Sequence, residues 1–301
     1  MKTVVLAGGS GFLGRSLAPS LSAVGYRVLV LSRYAGASRA AAETIRWDGK
    51  KLGAWCDALD GANAVVNLTG RSVNCRYTAR NRREILDSRL GSVRLLGEAI
   101  GRCRRPPGVL VQASSLAIYG DAGANVCDER AASGSGFGAE VCLQWEAAVN
   151  SLTLPNSRTV VLRIGFALGR DGGALQTLAG LTRWFLGGSA GSGDQYISWI
   201  HMADLNEMFK AAMEDDAMQG VYNATGPEPV TNREFMRQLR SVMGRPWSPP
   251  VPSWAVRIGA FLMRTEASLA LTGRRCVPAR FLERGFRFQF RQLRPALADL
   301  L

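Results

Sequence analysis

Three glycines spaced three residues apart, Gly8, Gly11 and Gly14, separate an apolar run from a segment with helical periodicity. In a strand–turn–helix unit the first allows a tight turn, the second lets a ligand approach the backbone, and the third lets helix and strand pack closely. The helix that follows presents free N–H groups and a partial positive charge, which suit phosphate oxygens. The spacing therefore predicts a dinucleotide-binding loop, whose contact residues are Gly8, Ser10, Gly11, Phe12, Leu13 and Gly14.

The second apolar run ends in Ser32 and Arg33. A site that prefers NAD usually carries Asp or Glu at this place, which accepts a hydrogen bond from the ribose 2′-hydroxyl. A carboxylate would repel a 2′-phosphate, whereas a guanidinium and a hydroxyl would bind one. The pair therefore favours NADP as the cofactor, and a solvated arginine at a strand end is the alternative interpretation.

The glycine loop needs a strand before it and a helix and a strand after it. Hydrophobic patterning predicts these elements at residues 3–7, 12–24 and 26–31. Further strands are predicted at residues 44–47, 64–68, 109–114 and 160–164, with helical or mixed segments between them. Because the strands alternate with helices, the sequence predicts an α/β fold built on a doubly wound parallel sheet.

The carboxyl ends of the predicted strands should meet at one edge of that sheet. In doubly wound folds, ligands bind in the crevice beyond those ends. We therefore expect residues at and just beyond these strand ends to surround the cofactor. These residues are Asp48, Leu68, Thr69, Gly70, Ser114, Arg163 and Phe166.

The formal net charge of +13 comes almost entirely from arginine, because the chain of 301 residues has only four lysines. The arginines are spread along the sequence and accompany no motif that reads DNA or RNA. We therefore expect a small-molecule partner, anionic compounds included, and no nucleic acid. A nucleic-acid-associated protein is the alternative that the charge alone suggests.

Cysteine usage and hydropathy exclude several other classes. The six cysteines form no C-x-x-C pair and the chain has a single histidine, so we expect no metal site and no disulfide framework. No apolar run reaches the roughly 18–20 residues that a membrane span needs. The first residues lead into a predicted strand without a charged leader. These features predict a cytoplasmic protein without a membrane partner, and nothing in them specifies an oligomer.

Longer segments resemble the extended short-chain dehydrogenase/reductase superfamily: "GGSGFLG", "AVVNLTG", "SSLAIYG", "LRIGFALGRDGG" and "YISWIHMADL". Others look like its atypical sugar-nucleotide epimerase-like branch, which ends in a short domain of unknown function: "IRWD", "DSR", "CLQWEAA", "GSGDQYISWIH" and "LERGFRF". The resemblance covers nearly the whole chain and implies a Rossmann domain that binds NADP. One departure is Arg274, which follows Gly273 where a glutamine would be expected.

The resemblance also implies cofactor contacts outside the glycine loop. It puts the serine–arginine pair on the adenosine phosphate, and Leu68 and Thr69 beside the cofactor ribose. Glu84 and Arg89, on one predicted helix, are implied contacts as well. Arg89 could pair with a phosphate and Glu84 with a hydroxyl, and an ordinary surface helix is the alternative for both.

Active members of this superfamily carry a Tyr-x-x-x-Lys pair, in which tyrosine is the acid/base and lysine lowers its pKa. Free tyrosine titrates at about 10, so shifting its pKa to about 7 requires ~4 kcal/mol, which a nearby cation can help supply. No lysine of this chain has a tyrosine four residues before it. In the matching segment the tyrosine position falls on Phe137 or Gly138, and the lysine position falls on Val141 or Cys142.

Two hydroxyl groups are left as predicted catalytic residues. Ser115 matches the superfamily's catalytic serine, and Tyr119 has a phenol that could act as an acid. The alternatives are a backbone hydrogen bond for Ser115 and a packing or substrate contact for Tyr119. For His201 and Asp204, at a predicted strand-to-helix junction, we expect helix capping or a structural hydrogen bond.

The chain is predicted to form a Rossmann domain and a smaller C-terminal substrate lobe. The NADP-binding domain comprises residues 1–170, to which residues 199–226 return, and the lobe comprises residues 171–198 and 227–301. The last ~50 residues are the family-specific domain. Within the lobe we expect a helix at 232–243, a proline-rich linker at 245–254 and an edge strand at 282–290.

The patterns predict a protein that binds NADP, and the resemblance implies that it is an epimerase- or dehydratase-like oxidoreductase. Its substrate would be a nucleotide-sugar or a related small hydroxyl or carbonyl compound, with Ser115 polarising the hydroxyl. The missing Tyr-x-x-x-Lys pair supports a second hypothesis, a catalytically weak or inactive NADP(H)-binding sensor.

Overall fold

The computed structural model describes residues 1–33 and 42–301. Strands and helices alternate through its first half. In chain order they are β1 (Thr3–Ala7), α1 (Phe12–Ala23), β2 (Arg27–Ser32), β3 (Glu43–Arg46), β4 (Ala64–Asn67), α2 (Ala79–Gly101), β5 (Val109–Ser115), β6 (Val126–Cys127) and α3 (Phe137–Asn150). Two 3₁₀ turns, Ala54–Ala58 and Leu116–Tyr119, lie between them.

The second half has shorter strands and more helices. They are β7 (Arg158–Ile164), β8 (Phe166–Leu168), α4 (Gly173–Arg183), β9 (Tyr196–Ile197), β10 (Trp199–His201), α5 (Met202–Glu214), β11 (Gly220–Ala224), β12 (Val230–Thr231), α6 (Asn232–Val242), α7 (Ser253–Leu262), α8 (Ser268–Leu271), β13 (Arg275–Cys276), α9 (Ala279–Glu283) and α10 (Leu293–Leu300).

Seven strands form one parallel sheet in the order β11-β7-β5-β4-β1-β2-β3. The order runs outward from β1 in both directions, as a doubly wound fold requires. The predicted strands at residues 3–7, 26–31, 44–47, 64–68, 109–114 and 160–164 all lie in this sheet, with ends displaced by at most two residues. The α/β fold class predicted from the sequence is therefore confirmed.

Alternate residues of each strand enter cores on opposite faces of the sheet. Val4 and Leu6 of β1 pack with α1 and α5, whereas Val5 and Ala7 pack on the side of α2. All four side chains are fully buried. Because both faces are covered, the strands are continuously apolar, and each buried leucine or valine contributes ~1.5–3 kcal/mol to folding.

The smaller lobe covers the carboxyl edge of the sheet. Its own core joins α4, α6 and α10 through Leu175, Phe235, Leu239 and Leu297, all completely buried. Three two-stranded pairings lie outside the large sheet: β8 with β10 belongs to the sheet domain, β9 with β12 belongs to the lobe, and β6 with β13 connects the lobe to the sheet domain. Residues 245–250 have no regular structure, and the helix predicted at 232–243 is α6.

The edge strand predicted at residues 282–290 is wrong. The segment begins in α9, turns at Gly285 with a φ of +71°, and continues without pairing to a described strand. The ring of Phe286 packs on Phe281, with centroids 5.2 Å apart, and the ring of Phe288 packs on Phe286. The backbone N–H groups that a strand would share donate instead to the Asp204 carboxylate. The alternating pattern therefore reflects aromatic packing between lobes.

Within residues 1–33 and 42–301, no helix combines the length and the hydropathy needed to cross a membrane.

Candidate cofactor and active site

The glycine loop after β1 has the geometry of a phosphate-binding turn. Gly8 has a φ of +77°, a conformation that favours glycine. A Cβ on Gly14 would lie 2.3 Å from the Cα and the carbonyl oxygen of Gly9, so only glycine permits this packing of helix on loop. Gly11 caps α1 without a side-chain hydrogen bond, which leaves the first-turn N–H groups for a ligand.

Two other residues predicted for the loop, Phe12 and Leu13, lie at the N-terminus of α1. The Phe12 ring seats against the 169–173 segment, where a Cβ on Gly173 would approach it to 2.8 Å. Leu13 packs against the core below the loop. Their backbone N–H groups lie in the first turn of α1, so both residues are available to a phosphate through the main chain rather than the side chain.

At the end of β2 the predicted specificity residues lie beside the glycine loop. The buried Ser32 hydroxyl donates to the Ser10 hydroxyl at 3.2 Å, and Arg33 is exposed. Asp48, beyond β3, is exposed, and its carboxylate accepts from the backbone N–H groups of Lys50 and Lys51 at 2.8 and 3.1 Å. These bonds hold the pKa of Asp48 below its usual value and close a turn.

The end of β4 lies against the glycine loop. A Cβ on Gly8 would approach Thr69 to 3.1 Å, and the backbone N–H and hydroxyl of Thr69 donate to the Asn67 amide oxygen. A Cβ on Gly70 would lie 3.1 Å from the Arg89 guanidinium carbon. Leu68 packs into the core beneath them. The structure therefore connects the glycine loop to Arg89 through residues 68–70.

Arg89 and Glu84, each predicted to contact the cofactor, have side chains with different surroundings. Arg89 stacks over Trp145 at 4.8 Å and donates through Nη1 to the carbonyls of Arg71 and Ile85. Its side chain lines an internal cleft. Glu84 forms ion pairs with Arg71 and Arg80 and does not line the cleft. Its carboxylate is thus already neutralised by arginines of its own segment.

That cleft has a volume of about 620 Å³ and opens at the carboxyl ends of β5 and β7. Helix α3, the 3₁₀ turn after β5 and the segment 266–274 of the lobe enclose it. Ser115 lines it, and its hydroxyl oxygen accepts from the Ala117 backbone N–H at 3.1 Å. This bond fixes the oxygen and leaves the hydroxyl proton free to be donated to a ligand. Phe166 also lines the cleft, and its ring lies edge-on to that of Phe235.

The predicted catalytic role of Tyr119 is contradicted by its burial. Its side chain is 3% exposed and does not line the cleft. The hydroxyl lies 2.8 Å from the Asn223 amide oxygen and from the Asp128 carbonyl, and it accepts from Arg163 at 2.8 Å. Burial raises its pKa to about 12, against the lowering effect of Arg163. Tyr119 is therefore a structural phenol.

Ser114 and Arg163, predicted as cofactor contacts, belong to the same buried network. The Ser114 hydroxyl donates to Glu146 at 2.7 Å, and Arg163 donates to both Glu146 carboxylate oxygens at 3.0 and 2.8 Å. These side-chain groups form hydrogen bonds within the protein, so the structure does not support side-chain contacts of Ser114 and Arg163 with the cofactor. Glu146, which sequence reasoning missed, is the buried centre of this network.

Helix α3 confirms that the usual catalytic pair is absent from this cleft. Phe137, Gly138, Val141 and Cys142, the positions where tyrosine and lysine would fall, all line it. None offers a phenol or an ammonium group. The Cys142 thiol is buried, and burial raises its pKa to about 11, so it stays protonated at neutral pH.

Sequence reasoning missed Tyr77, which lies on the loop between β4 and α2. Its ring packs edge-on against Phe137, with centroids 4.8 Å apart, and it lines the cleft. No described residue hydrogen-bonds to its hydroxyl. The available signal was a tyrosine nine residues beyond a predicted strand end and twelve before Arg89.

His201 and Asp204 have structural roles, as expected. His201 Nδ1 accepts from the Ala203 backbone N–H at 3.1 Å and so caps α5, and its Nε2 lies 3.3 Å from an Asp299 oxygen. Its ring stacks on Phe290 with centroids 3.8 Å apart. Asp204 accepts from the backbone N–H groups of Gln289 and Phe290. Among the described residues, no cluster of His, Cys, Asp and Glu is suited to a metal ion.

A glycine loop after the first strand, a doubly wound sheet and a cleft at its carboxyl edge define a Rossmann-type nucleotide-binding protein. Residues 4–225 match the model of the NAD dependent epimerase/dehydratase family, and residues 251–300 match a domain of unknown function, DUF1731. The chain belongs to the NAD dependent epimerase/dehydratase family. The resemblance carried by its motifs, including the C-terminal domain, is confirmed.

Several relatives match along the whole chain. The human epimerase family protein SDR39U1 is 34% identical over 302 residues, which is 99% of each chain. A crystal structure of that protein with NADPH has a TM-score of 0.88 at 33% identity and covers 99% of this chain and 98% of its own. A chloroplastic SDR39U1 homologue of Arabidopsis thaliana is 34% identical over 309 residues, 99% of this chain and 86% of the homologue.

A nucleoside-diphosphate sugar epimerase from Corynebacterium glutamicum shares the fold with a TM-score of 0.80 at 28% identity. The match covers all of this chain but only 58% of that protein.

Proposed function

We propose that this protein binds NADPH and exchanges a hydride between it and a small hydroxyl or carbonyl compound held in the cleft. A nucleotide-sugar is the substrate class that the epimerase relatives suggest. The observation that carries the proposal is the continuous path from the glycine loop through residues 68–70 and Arg89 into the cleft lined by Ser115.

The residues present fit the cofactor. The bare backbone at Gly11, the uncapped N-terminus of α1 and the positive φ of Gly8 form a cradle for a pyrophosphate. Ser32 and Arg33 at the end of β2 suit a 2′-phosphate, and no carboxylate precedes them in that strand. The human relative with NADPH bound supports the same assignment.

Bound NADPH would supply the hydride, and the cleft would supply the polar groups that stabilise the reacting oxygen. Ser115 holds its oxygen in place through Ala117 and can donate its proton to a substrate carbonyl. Apolar walls from Phe137, Val141 and Phe166 exclude water around that hydrogen bond and so strengthen it.

Tyr77 and Tyr196 both line the cleft. Tyr77 is the one that we propose as the proton donor in place of Tyr119. Burial raises its pKa to about 12, although Arg89 and Arg82 lie close enough to oppose that shift. A phenol with this pKa stays protonated at neutral pH, so it acts as an acid rather than as a base. Together with a hydride donor, such an acid favours reduction of a carbonyl over oxidation of an alcohol.

Binding and turnover are tested separately. NADPH should bind more tightly than NADH, and Arg33→Ala should remove most of the difference, as measured by cofactor fluorescence titration. Equal affinities for the two cofactors in the unaltered protein would contradict the role of Arg33. Turnover is then followed as NADPH oxidation with a panel of small carbonyl compounds and nucleotide-sugars, with Ser115→Ala expected to abolish it.

A non-catalytic NADP(H) sensor is the second candidate, favoured by the absence of tyrosine and lysine from the cleft face of α3. A sensor would bind NADPH with the same dependence on Arg33 and would oxidise it with no member of the panel. Turnover that disappears with Ser115→Ala would exclude this candidate.

A further inference from the structure

Two arginines, Arg89 and Arg274, contribute to the wall of the cleft. Neither forms an ion pair with a carboxylate in the part of the chain that the structure describes. Both are partly buried, and burial lowers the pKa of each. An uncompensated guanidinium in such a place is costly, and an anionic ligand would offset that cost.

The two arginines belong to different ends of the cleft. Arg89 touches Gly70, next to the glycine loop, and so lies on the side proposed for the cofactor. Arg274 comes from the segment before β13 and donates through Nε to the Gly120 carbonyl at 2.9 Å. No described residue accepts from its two Nη groups. Arg274 therefore presents free donors on the side away from the cofactor.

The backbone around Arg274 is rigidly held. Its N–H donates to the Tyr196 carbonyl at 3.1 Å, and its carbonyl accepts from the Ser198 hydroxyl at 2.8 Å. The preceding Gly273 packs so closely that a Cβ there would lie 2.5 Å from the Tyr196 nitrogen. A side chain on such a backbone is positioned before a ligand arrives, which reduces the entropy lost on binding.

The titratable groups around Arg274 do not neutralise it. The thiols of Cys276 and Cys142 have pKa values raised to about 12 and about 11, and burial also raises the pKa of Cys127. All three are uncharged at neutral pH. Asp121 is exposed, and its carboxylate accepts from the Gly273 N–H at 3.0 Å instead of pairing with the guanidinium.

We infer that Arg274 binds an oxyanion of the substrate, a carboxylate or a phosphate monoester, at the end of the cleft opposite the cofactor. The inference rests on the proposed function only in taking this cleft as the substrate site. Arg274 and Ser115 lie at the two ends of the 3₁₀ turn Leu116–Tyr119. Four residues of 3₁₀ helix rise ~8 Å, a span that a compound of a few carbon atoms bridges.

The binding test uses the full chain saturated with NADPH and three probes followed by calorimetry: malonate, methyl phosphate and uncharged malonamide. At least one anion should bind and malonamide should not, and the better anion identifies carboxylate or phosphate chemistry. Arg274→Gln should weaken anion binding at least tenfold, Arg274→Lys should retain most of it, and Arg287→Gln, which removes an exposed charge elsewhere, should leave it unchanged. Equal binding to the unaltered protein and to Arg274→Gln, or no binding of either anion, would overturn the inference.

A second measurement needs no variant. Phenylglyoxal modifies accessible arginines, and the bound anion should protect the peptide that contains Arg274 severalfold, as measured by mass spectrometry. Equal modification with and without the anion also overturns the inference. If the anion binds through Arg274 but no panel compound oxidises NADPH, the proposed function fails while this inference stands. If turnover of a panel compound that carries a carboxylate or a phosphate monoester is unchanged by Arg274→Gln, that result would instead support the proposed function and overturn this inference.

Discussion

Among the individual residues of the site, the phenols of Tyr77 and Tyr119 have opposite environments. Tyr119 lies in a closed network with Arg163 and Asn223, whereas the hydroxyl of Tyr77 has no partner among the described residues and its ring lines the cleft. Both pKa values are about 12, so the pKa does not distinguish them. The two side chains differ in their access to the cleft, and this difference matters because a proton donor must reach the substrate.

Tyr77→Phe should therefore lower the rate of NADPH oxidation by about 10²–10⁴-fold, the usual contribution of a general acid, and leave stability nearly unchanged. Because the phenol stays protonated well above neutrality, the rate in the unaltered protein should be flat from about pH 6 to 9. Tyr119→Phe is the matched control. It should cost ~1–3 kcal/mol of unfolding free energy, because Arg163 and Asn223 lose a buried partner, with a smaller effect on rate. The reverse pattern would return the acid role to Tyr119.

Among the secondary-structure elements, β1 and α1 are joined by a turn that depends on contact between two backbones. A Cβ on Gly14 would lie 2.3 Å from the Cα of Gly9, so α1 can pack against the loop only because residue 14 has no side chain. Gly14 lies in the first turn of α1, at the end of the helix that faces the predicted cofactor-binding loop. The packing of α1 and the binding of the cofactor therefore both depend on Gly14.

Gly14→Ala should push α1 away from the loop. We expect a loss of ~1–3 kcal/mol of unfolding free energy and at least a tenfold loss of NADPH affinity. Gly91→Ala is the control, since Gly91 lies within α2 and a Cβ there would meet nothing within 4 Å. That substitution should stabilise the protein by ~0.5–1 kcal/mol and leave cofactor binding unchanged. Thermal unfolding and fluorescence titration of both variants provide the comparison.

In the molecule as a whole, the C-terminal segment is anchored to the sheet domain by α5 and β10. Asp204 accepts two backbone hydrogen bonds from residues 289 and 290, and His201 contacts Phe290 and Asp299. His201 is the only histidine, and burial holds its pKa below the usual value despite the two carboxylates nearby. We therefore expect the junction between lobes to be sensitive to mildly acidic pH.

The direction of the pH effect follows from the lowered pKa of His201. Below about pH 6.5 the unfolded chain binds a proton at His201 that the folded protein resists, so stability falls as pH drops from that value toward the folded pKa. His201→Asn, which keeps a side chain that caps helices well, should flatten this dependence between about pH 7.5 and 5.5. The check is the melting temperature of both proteins across that range; identical slopes would assign the effect to other groups.

The sheet, the glycine loop and the absence of a Tyr-x-x-x-Lys pair can all be predicted from the sequence. They depend on local properties: apolar periodicity, backbone freedom at Gly8 and Gly14, and residue spacing. Which side chains share the cleft depends instead on tertiary packing. Tyr77, Phe137 and Arg274 come from a loop, a helix and the C-terminal domain, and they meet because the lobe closes over the carboxyl edge of the sheet. The catalytic role predicted for Tyr119 is wrong for the same reason, since its burial depends on Asn223, 104 residues away.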